Sequence, residues 1–228
     1  MSKHIFVIGA SRGIGAELVK TYAKNSDHQV YAFARNIERM EAMFDQENVH
    51  CFALDLSQNV YEQLAKLMGQ LPQIDVLIEN AGYLVNKPFP ELTHADFNTS
   101  YQVNVIGVME SIQCLLPKLN PEGAHIVNIS SMGGFQGSMK FPGLAAYSTS
   151  KAALCSFTEL FAEEYKDTNI KMNCLCLGAV QTEMLEQAFP GYQAPLNPTQ
   201  MAEFITDFSL NAQRFLNGKI IPVSLTNP

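Results

Sequence analysis

The sequence predicts an α/β fold, a doubly wound, seven-stranded parallel sheet flanked by helices. Short apolar runs rich in Val, Ile and Phe alternate with longer segments of helical period, which is the pattern of repeated βαβ units. The chain has 228 residues, of which 47% are hydrophobic, enough to bury one large core. No repeat, low-complexity tract or linker divides it. We therefore predict a single domain over residues 1–228.

The strands and helices can be placed along the chain from this alternation. The predicted strands cover residues 4–8, 29–34, 49–53, 74–79, 125–130, 170–175 and 219–223. The predicted helices lie near residues 13–24, 61–69, 95–116, 146–165 and 199–210. Residues 189–198, FPGYQAPLNP, are dense in Pro and Gly and predict a loop that could act as a mobile lid.

Charge and hydropathy exclude several classes of partner. The formal net charge is −7, the pI is near 5.2, and Lys and Arg form no cluster, which disfavours nucleic-acid binding. No apolar stretch approaches the roughly 18 to 20 residues that span a bilayer. The apolar run at the N-terminus meets Gly9 too soon for a signal peptide. We expect a cytoplasmic protein whose partner is a small molecule.

Cysteine usage predicts a reducing compartment. The five cysteines are an odd number and lie among apolar neighbours, as buried free thiols do. Cys174 and Cys176 would share one face of a strand, which raises the question of zinc. No second Cys or His cluster with ligand spacing follows them, so we predict no metal site.

The first strand leads directly into a glycine-rich turn, GASRGIG, at residues 9–15. Glycines at a strand-to-helix turn allow close approach of a ligand, and the helix N-terminus offers free N–H groups to a pyrophosphate. The spacing departs from G-x-G-x-x-G, and a tight turn without a ligand is the alternative. The turn predicts a dinucleotide site in a Rossmann-type sheet, with these candidate residues: Gly9, Ser11, Arg12, Gly13, Ile14 and Gly15.

The end of the second strand indicates which dinucleotide is bound. An NAD site usually places an acid about 20 residues after the glycines, whereas an NADP site needs a cation for the 2′-phosphate. Here Ala34 stands in place of the acid and Arg35 follows it, while Arg12 offers a second guanidinium. We predict NADP(H) in preference to NAD(H). The alternative is that both arginines are solvated surface charges.

Asp55 ends the third strand in the segment ALDLS. Its carboxylate could accept a hydrogen bond from an adenine amino group while the Leu56 N–H donates to the ring. It could also cap the N-terminus of the following helix, and the two roles are compatible.

Tyr147 and Lys151 are spaced four residues apart in a predicted helix, so their side chains share one face. Taken alone, a Y-x-x-x-K pair is common on helix surfaces. Three other motifs precede it in order: the glycine turn at residues 9–15, Asn80-Ala81-Gly82, and Ile-Ser-Ser at 129–131. Together the four resemble the classical short-chain dehydrogenase/reductase family over essentially the whole chain.

The resemblance implies a catalytic tetrad. Tyr147 would be the general acid of carbonyl reduction, and Lys151 would lower the pKa of the Tyr147 phenol and hold the nicotinamide ribose. Ser131 would hydrogen-bond the substrate oxygen, with Ser130 as the alternative, and Asn104 would hold a water that links Lys151 to solvent. The chemistry agrees, because an oxygen that gains charge needs a proton donor and a second hydrogen-bond donor. Ser131 could instead cap a strand end, and Asn104 could be a buried amide satisfied within its helix.

The same resemblance implies further cofactor contacts and a lid. The segment LGAVQTEM at residues 177–184 resembles the family's segment after the sixth strand, and the loop around residues 183–198 would cover the substrate. A homodimer or homotetramer is also implied. Three positions depart from the family pattern: Ile8, Glu79 and Leu177. The implied cofactor contacts beyond the glycine turn are Asn80, Ala81, Gly82, Tyr147, Lys151, Gly178, Val180 and Thr182.

The function expected from these features is that of an NADP-dependent oxidoreductase, a carbonyl reductase acting on a small apolar carbonyl or alcohol. The alternative from another class is a non-catalytic NADP(H)-binding sensor, which would not need a tuned acid beside the nicotinamide. The following residues could line an apolar pocket, or could equally be core or dimer contacts: Phe135, Met139, Phe141, Leu144, Met184, Leu185 and Phe189.

Overall fold

The computed structural model of the chain describes residues 2–225, so Met1 and residues 226–228 of the predicted domain lie outside the described residues. Seven strands pair in parallel in one sheet of order β3-β2-β1-β4-β5-β6-β7. This confirms the predicted doubly wound α/β fold. The strands are β1 His4–Ile8, β2 Gln29–Ala34, β3 Val49–Ala53, β4 Val76–Glu79, β5 Ala124–Ser131, β6 Ile170–Leu177 and β7 Ile220–Val223.

The strand order reverses direction at β1, which pairs with β2 on one edge and with β4 on the other. The chain leaving β1 and the chain leaving β4 therefore turn away to opposite faces of the sheet. In open parallel sheets a crevice opens at such a point, beyond the carboxyl ends of the strands. Ile8 and Glu79, which are register partners, end the two strands there.

Helices cover both faces of the sheet and bury a large hydrophobic core on each face. They are α1 Gly13–Ala23, α2 Ile37–Glu41, α3 Val60–Leu67, α4 His94–Tyr101, α5 Gly107–Leu115, α6 Ala145–Glu164, α7 Glu183–Ala188 and α8 Pro198–Asn211. One core joins α1 and α8 through side chains such as Leu18 and Ile205. The other joins α3, α5 and α6 through side chains such as Leu64, Ile112 and Leu154. Within residues 2–225, no helix has the length and apolar character needed to cross a membrane.

The long helix predicted over residues 95–116 is divided in the structure. A π-helical segment, Gln102–Ile106, separates α4 from α5 and contains Asn104. Gly107 follows it and packs against the preceding loop, where an added Cβ would lie 2.8 Å from the Leu56 carbonyl oxygen. Single π-helical turns inside helices are rare and occur frequently at functional sites.

Two short helices were not predicted, and one predicted strand is shorter than expected. Asn36 caps α2, and Thr182 caps α7 by accepting a hydrogen bond from the Leu185 N–H. The prediction of a loop over residues 183–198 is therefore wrong for Glu183–Ala188, because a cap with acidic residues in the first turn stabilises a helix too short to show periodicity. Strand β4 begins at Val76, and Ile74 forms only an isolated bridge to Leu119.

Candidate active site

The glycine turn lies in the crevice between β1 and β4. Gly9 has a φ of +92°, and a Cβ added there would lie 2.6 Å from the backbone of Ala81, so only glycine fits. The Asn80 side chain donates to the Gly9 carbonyl at 2.9 Å. Gly15 also requires glycine, since a Cβ there would lie 2.0 Å from the Gly9 oxygen. Gly9, Gly15, Asn80 and Ala81 thus shape the turn through contacts with one another.

The N-terminus of α1 has the features of a phosphate cradle. Arg12 occupies the N-cap with an extended backbone, and within the described residues its side chain makes no capping hydrogen bond. Gly13 has a φ of +53° and faces the Thr182 side chain, 3.4 Å from where a Cβ would stand. Ile14 packs against the core, while Ser11 lies half-buried in the turn. First-turn N–H groups and the helix dipole are thus left for an anion.

The end of β5 is held against α6 by two further glycines. A Cβ on Gly133 would lie 2.6 Å from Ser148 Oγ, and one on Gly134 would lie 2.6 Å from the Lys151 main chain. This close approach brings the Ser131 hydroxyl near enough to Tyr147 on α6 to influence the pKa of its phenol. Ser131 Oγ also accepts a hydrogen bond from the Gly133 N–H at 3.1 Å.

Ser130, the alternative to Ser131, faces away from this contact. It is buried, and its hydroxyl donates to the Lys151 carbonyl at 2.9 Å. Ser130 therefore braces the two elements, whereas the Ser131 hydroxyl stands beside Tyr147. Ser131 caps the strand end, which was the structural alternative, and it also lies near Tyr147. Its hydrogen bond to a substrate oxygen stays a prediction.

Lys151 lies one helical turn after Tyr147 on α6 and is almost completely buried, with 3% of its surface exposed. Its ammonium group donates to the Ile129 carbonyl at 2.8 Å. Gly82 leaves space beside it, since an added Cβ would lie 3.5 Å from Lys151 Nζ. Burial, which penalises the charged form, lowers the pKa of Lys151 to about 8.

The pKa of Tyr147 is shifted opposite to the expected direction. Burial raises the pKa of the phenol, because the phenolate would be poorly solvated, and the hydrogen bond from Ser131 lowers it only in part. The resemblance implied instead a lowering by Lys151. The phenol is therefore held in its protonated form, which is the form that a general acid needs.

Asn104 holds the π-helical segment against the chain that leaves β4. It is completely buried, and its Oδ1 accepts from the Tyr83 N–H at 2.8 Å. Its Nδ2 donates to the Tyr83 carbonyl and to Ser150 Oγ, each at 2.9 Å. Asn104 is therefore a buried, hydrogen-bonded amide, as the alternative interpretation predicted, although its partners lie outside its own helical segment. We call Asn104, Ser131, Tyr147 and Lys151 the proton-transfer cluster.

Glu79 is a fully buried carboxyl group at the end of β4. Its Oε1 lies 2.5 Å from Ser111 Oγ, and the same hydroxyl lies 2.8 Å from the Val108 carbonyl. One hydroxyl hydrogen cannot serve both acceptors. Among the described residues neither Glu79 Oε2 nor Asn128 Oδ1 has a hydrogen-bond partner, yet the two residues are register partners on adjacent strands.

A proton on Glu79 relieves this shortage of donors. Desolvation raises the pKa of the carboxyl group to about 8, against the smaller lowering effects of Ser111 and Lys151. At neutral pH the side chain is therefore mainly an uncharged carboxylic acid. The departure from the family pattern at Glu79 places a protonated acid near enough to Lys151 to interact with it electrostatically.

A second group of charged residues lies at the exposed edge of the crevice. Arg12 Nη1 is 3.3 Å from Glu183 Oε2, and Arg39 Nη2 is 3.5 Å from Glu183 Oε1. Arg35 is exposed just after β2. We call Arg12, Arg35, Arg39 and Glu183 the arginine edge. The sequence reasoning missed Arg39, although its spacing of four residues from Arg35 was a signal.

Asp55 does not cap the following helix, which was one of the two roles predicted for it. Its carboxylate accepts from the N–H and the hydroxyl of Ser57 at 2.9 and 2.7 Å. Helix α3 begins later, at Val60, and is capped by Asn59. The turn at Asp55 and Leu56 therefore precedes the helix, and the Leu56 carbonyl accepts from Gln102.

The segment after β6 packs against the glycine turn. Gly178 lies so close to Ser224 that a Cβ would stand 2.4 Å from its hydroxyl. Val180 is buried in the core and forms a bridge to Leu196. The Thr182 methyl group faces Gly13, and its hydroxyl caps α7.

The apolar residues predicted as a pocket separate into different environments. Phe141 and Phe189 pack edge to face with centroids 6.4 Å apart, which joins the loop before α6 to the segment after α7. Phe135 packs instead against Met132, Cys155, Cys174 and Cys176. Leu144 is buried, Met139 is largely exposed, and Met184 and Leu185 are half-buried.

Comparison with known proteins gives consistent matches. The family model described as short chain dehydrogenase matches residues 3–193. An oxidoreductase of Botryotinia fuckeliana, BOA17, is 32% identical over 80% of this chain and 68% of its own length. An acetoacetyl-CoA reductase of Rhizobium meliloti is 31% identical over 81% and 77%. A putative short chain dehydrogenase of Escherichia coli CFT073, solved in complex with NADPH, is 28% identical over 96% and 95%, with a TM-score of 0.87.

Proposed function

The chain belongs to the short-chain dehydrogenase family, and on that premise we propose that it is an NADP(H)-dependent oxidoreductase acting on a small apolar carbonyl or alcohol. Tyr147 is its general acid in reduction and its general base in oxidation. The observation that supports this most directly is that Ser131 lies near Tyr147, one helical turn before the buried Lys151, at the sheet edge that carries the glycine turn.

The cofactor cradle fits a dinucleotide. The uncapped N-terminus of α1, where Gly13 carries no side chain, suits a pyrophosphate, and Gly82 leaves room beside Lys151 for a ribose. Val180, another predicted cofactor contact, would bind the cofactor through its main chain, since its side chain is buried. When bound, NADP(H) supplies or accepts the hydride.

The protein residues handle the charge and the proton. As the carbonyl carbon gains hydride, its oxygen becomes negative, and Tyr147 transfers its phenolic proton to that oxygen to give the alcohol. Ser131 donates a second hydrogen bond to the same oxygen, which stabilises the developing charge. The cation of Lys151 stabilises the tyrosinate left behind. Proton resupply runs from Lys151 through water at the π-helical segment, which Asn104 holds in position.

The arginine edge supports NADP(H) as the preferred cofactor. Arg12, Arg35 and Arg39 give three guanidinium groups near the end of β2, where an NAD site would carry an acid. The Escherichia coli relative is solved with NADPH. The edge-to-face pair of Phe141 and Phe189 would form an apolar wall over the substrate.

A homo-oligomer is part of the proposal. Large apolar side chains on the helices around Asn104 and Tyr147 are exposed to different extents, namely Tyr101, Ile106, Met109 and Leu160. Burial of such a surface between two copies would be favourable. Light scattering during gel filtration should give a mass of two or four chains, and a monomer at micromolar concentration would refute this part.

The test is a paired titration of the purified protein with NADPH and NADH, followed by NADPH consumption against a panel of ketones, aldehydes and quinones. The Tyr147→Phe variant is the control for background reduction. Tight NADPH binding with turnover of one carbonyl class, lost in the variant, is the expected result. Tight binding without turnover of any class would favour a non-catalytic sensor and refute the proposal.

A further inference from the structure

Three thiol groups from two elements meet behind the proton-transfer cluster. Cys155 Sγ on α6 lies 3.5 Å from Cys176 Sγ and 3.9 Å from Cys174 Sγ, both on β6. The three sulfur atoms all lie within 4.8 Å of one another. Cys174 and Cys176 share a face of the strand because side chains alternate along it, and Cys155 comes from 19 residues earlier in the chain.

The spacing of the sulfur atoms is that of ligands around one metal ion. A zinc–thiolate bond is about 2.3 Å long, so two thiolates on one ion stand about 3.8 Å apart in a tetrahedral site and about 4.0 Å apart in a trigonal one. The observed separations of 3.5 and 3.9 Å lie near these values. The thiols can converge on one ion without movement of α6 away from β6.

The surroundings suit a soft cation and balance its charge. Met132 packs in the same cluster and carries a thioether, and Ser130 Oγ lies 3.5 Å from Cys155 Sγ. A divalent ion bound by three thiolates has a net charge of −1. The Lys151 ammonium lies close enough to all three sulfur atoms to interact with them electrostatically and supplies the compensating charge. Buried charges persist in proteins when they are paired in this way.

We propose that Cys155, Cys174 and Cys176 form a binding site for a soft, thiophilic divalent cation, with Zn²⁺ as the representative ion. Thiolate ligands favour such ions over hard cations. The bound ion would fasten α6, which carries Tyr147 and Lys151, to the centre of the sheet. Its role is structural, and the proposal stands independently of which carbonyl the protein reduces.

The test uses Cd²⁺ as a spectroscopic probe on the full chain, kept reduced with a phosphine and freed of metal with a chelator. We expect an ultraviolet sulfur-to-cadmium charge-transfer band that saturates at one equivalent per chain. Because the sulfur atoms are buried, the titration is made on the folded protein and repeated on protein refolded in the presence of Cd²⁺. Zn²⁺ in excess should displace Cd²⁺, so that the charge-transfer band disappears, and should raise the midpoint of thermal unfolding.

Matched variants locate the ion. Cys155→Ser and Cys155→Ala should abolish both the band and the Zn²⁺-dependent rise in the thermal midpoint. Cys114→Ser removes a buried thiol on α5, away from the cluster, and should retain both. Circular dichroism confirms that each variant is folded.

Two results would overturn the proposal. One is the lack of a charge-transfer band in the wild-type protein under both loading conditions. The other is a band that persists undiminished in a folded Cys155 variant.

Discussion

The two sides of the crevice differ in how firmly their residues are held. In the proton-transfer cluster, Tyr147, Lys151 and Asn104 are at most 9% exposed. The hydrogen-bond partners of Lys151 and Asn104 are main-chain groups and one buried hydroxyl. On the arginine edge, the side chains of Arg12 and Glu183 are 39% and 54% exposed and meet through an ion pair of 3.3 Å.

This difference separates the chemistry from the choice of cofactor. Groups that transfer a proton must be fixed before the reaction, because reorganisation during the reaction would raise its barrier. Exposed ion pairs contribute little to stability, so the arginine edge can exchange one anionic partner for another at small energetic cost. We expect substitutions in the cluster to affect turnover and folding, and substitutions at the edge to affect cofactor affinity alone.

The largest effect should come from Tyr147→Phe, which removes the proton donor and almost no volume. Turnover should fall by about three orders of magnitude, within the range for loss of a general acid. The dissociation constant for NADPH, measured by fluorescence, should change by less than about threefold, since the ring still packs. Turnover at the wild-type rate would remove Tyr147 from the mechanism.

Glu79→Gln should change the pH dependence of stability. The folded pKa of about 8 lies above the unfolded value of 4.5, so the native state retains a proton that the unfolded state loses. Wild-type stability should therefore fall, relative to the variant, by about 1.4 kcal/mol for each pH unit between pH 5 and 8. Urea unfolding of both proteins across this window measures the difference.

Parallel profiles for the two proteins would mean that Glu79 is not protonated in the native state. Glutamine is the suitable replacement because, like a neutral carboxylic acid, it is uncharged and can both donate and accept hydrogen bonds. Below pH 4.5 the free energies of unfolding of the wild-type and Glu79→Gln proteins should change with pH in the same way.

Asn104→Ala should destabilise the protein by about 3 kcal/mol, because the main-chain groups of Tyr83 and the buried Ser150 hydroxyl each lose a hydrogen-bond partner. Asn98→Ala, an amide near the protein surface on α4 that bonds His94, is the matched control and should cost less than about 1 kcal/mol. Denaturant unfolding compares the two. Equal losses would show that the π-helical segment does not depend on Asn104.

Arg35→Asp should weaken NADPH binding by about 10- to 100-fold, as expected for loss of a charge-assisted contact to a phosphate. NADH affinity should change by less than about threefold. Arg214→Asp, which reverses an exposed charge after α8, controls for net charge. An unchanged ratio of the two affinities would refute the assignment of NADP(H).

The smallest effect should come from Glu183→Gln, which removes the carboxylate shared by Arg12 and Arg39. NADPH affinity should rise by about two- to fivefold, because an exposed ion pair contributes at most about 1 kcal/mol. Glu203→Gln, an exposed acid on α8, is the control. A fall in affinity would mean that Glu183 positions the arginines instead of competing for them.

The sequence predicted what is encoded locally. Strands β1, β2 and β3 end where expected because apolar runs and turn residues mark them. Lys151 and Tyr147 are neighbours because one helix carries both at a spacing of one turn. The prediction that Asp55 could cap the following helix is wrong. An acid after a strand can cap either a turn or a helix, and the start of α3 at Val60 decides for the turn.

Contacts between distant segments could not be predicted in this way. Arg39 meets Glu183 across 144 residues, and Glu183 lies on a helix too short for a periodic pattern. Cys155 meets Cys174 and Cys176 only because α6 packs on β6. The burial of Tyr147, which sets the direction of its pKa shift, also depends on the assembled fold.

The position of β1 between β2 and β4 governs the order in which the two sides of the crevice can form during synthesis. The ribosome releases β1, β2 and β3 first, and these adjacent strands can pair before the rest of the chain exists. The other edge of β1 must wait for β4, and Tyr147 and Lys151 emerge later still. A nascent chain therefore exposes an unpaired strand edge for the time that β4 takes to arrive, which is the interval in which a chaperone would protect it.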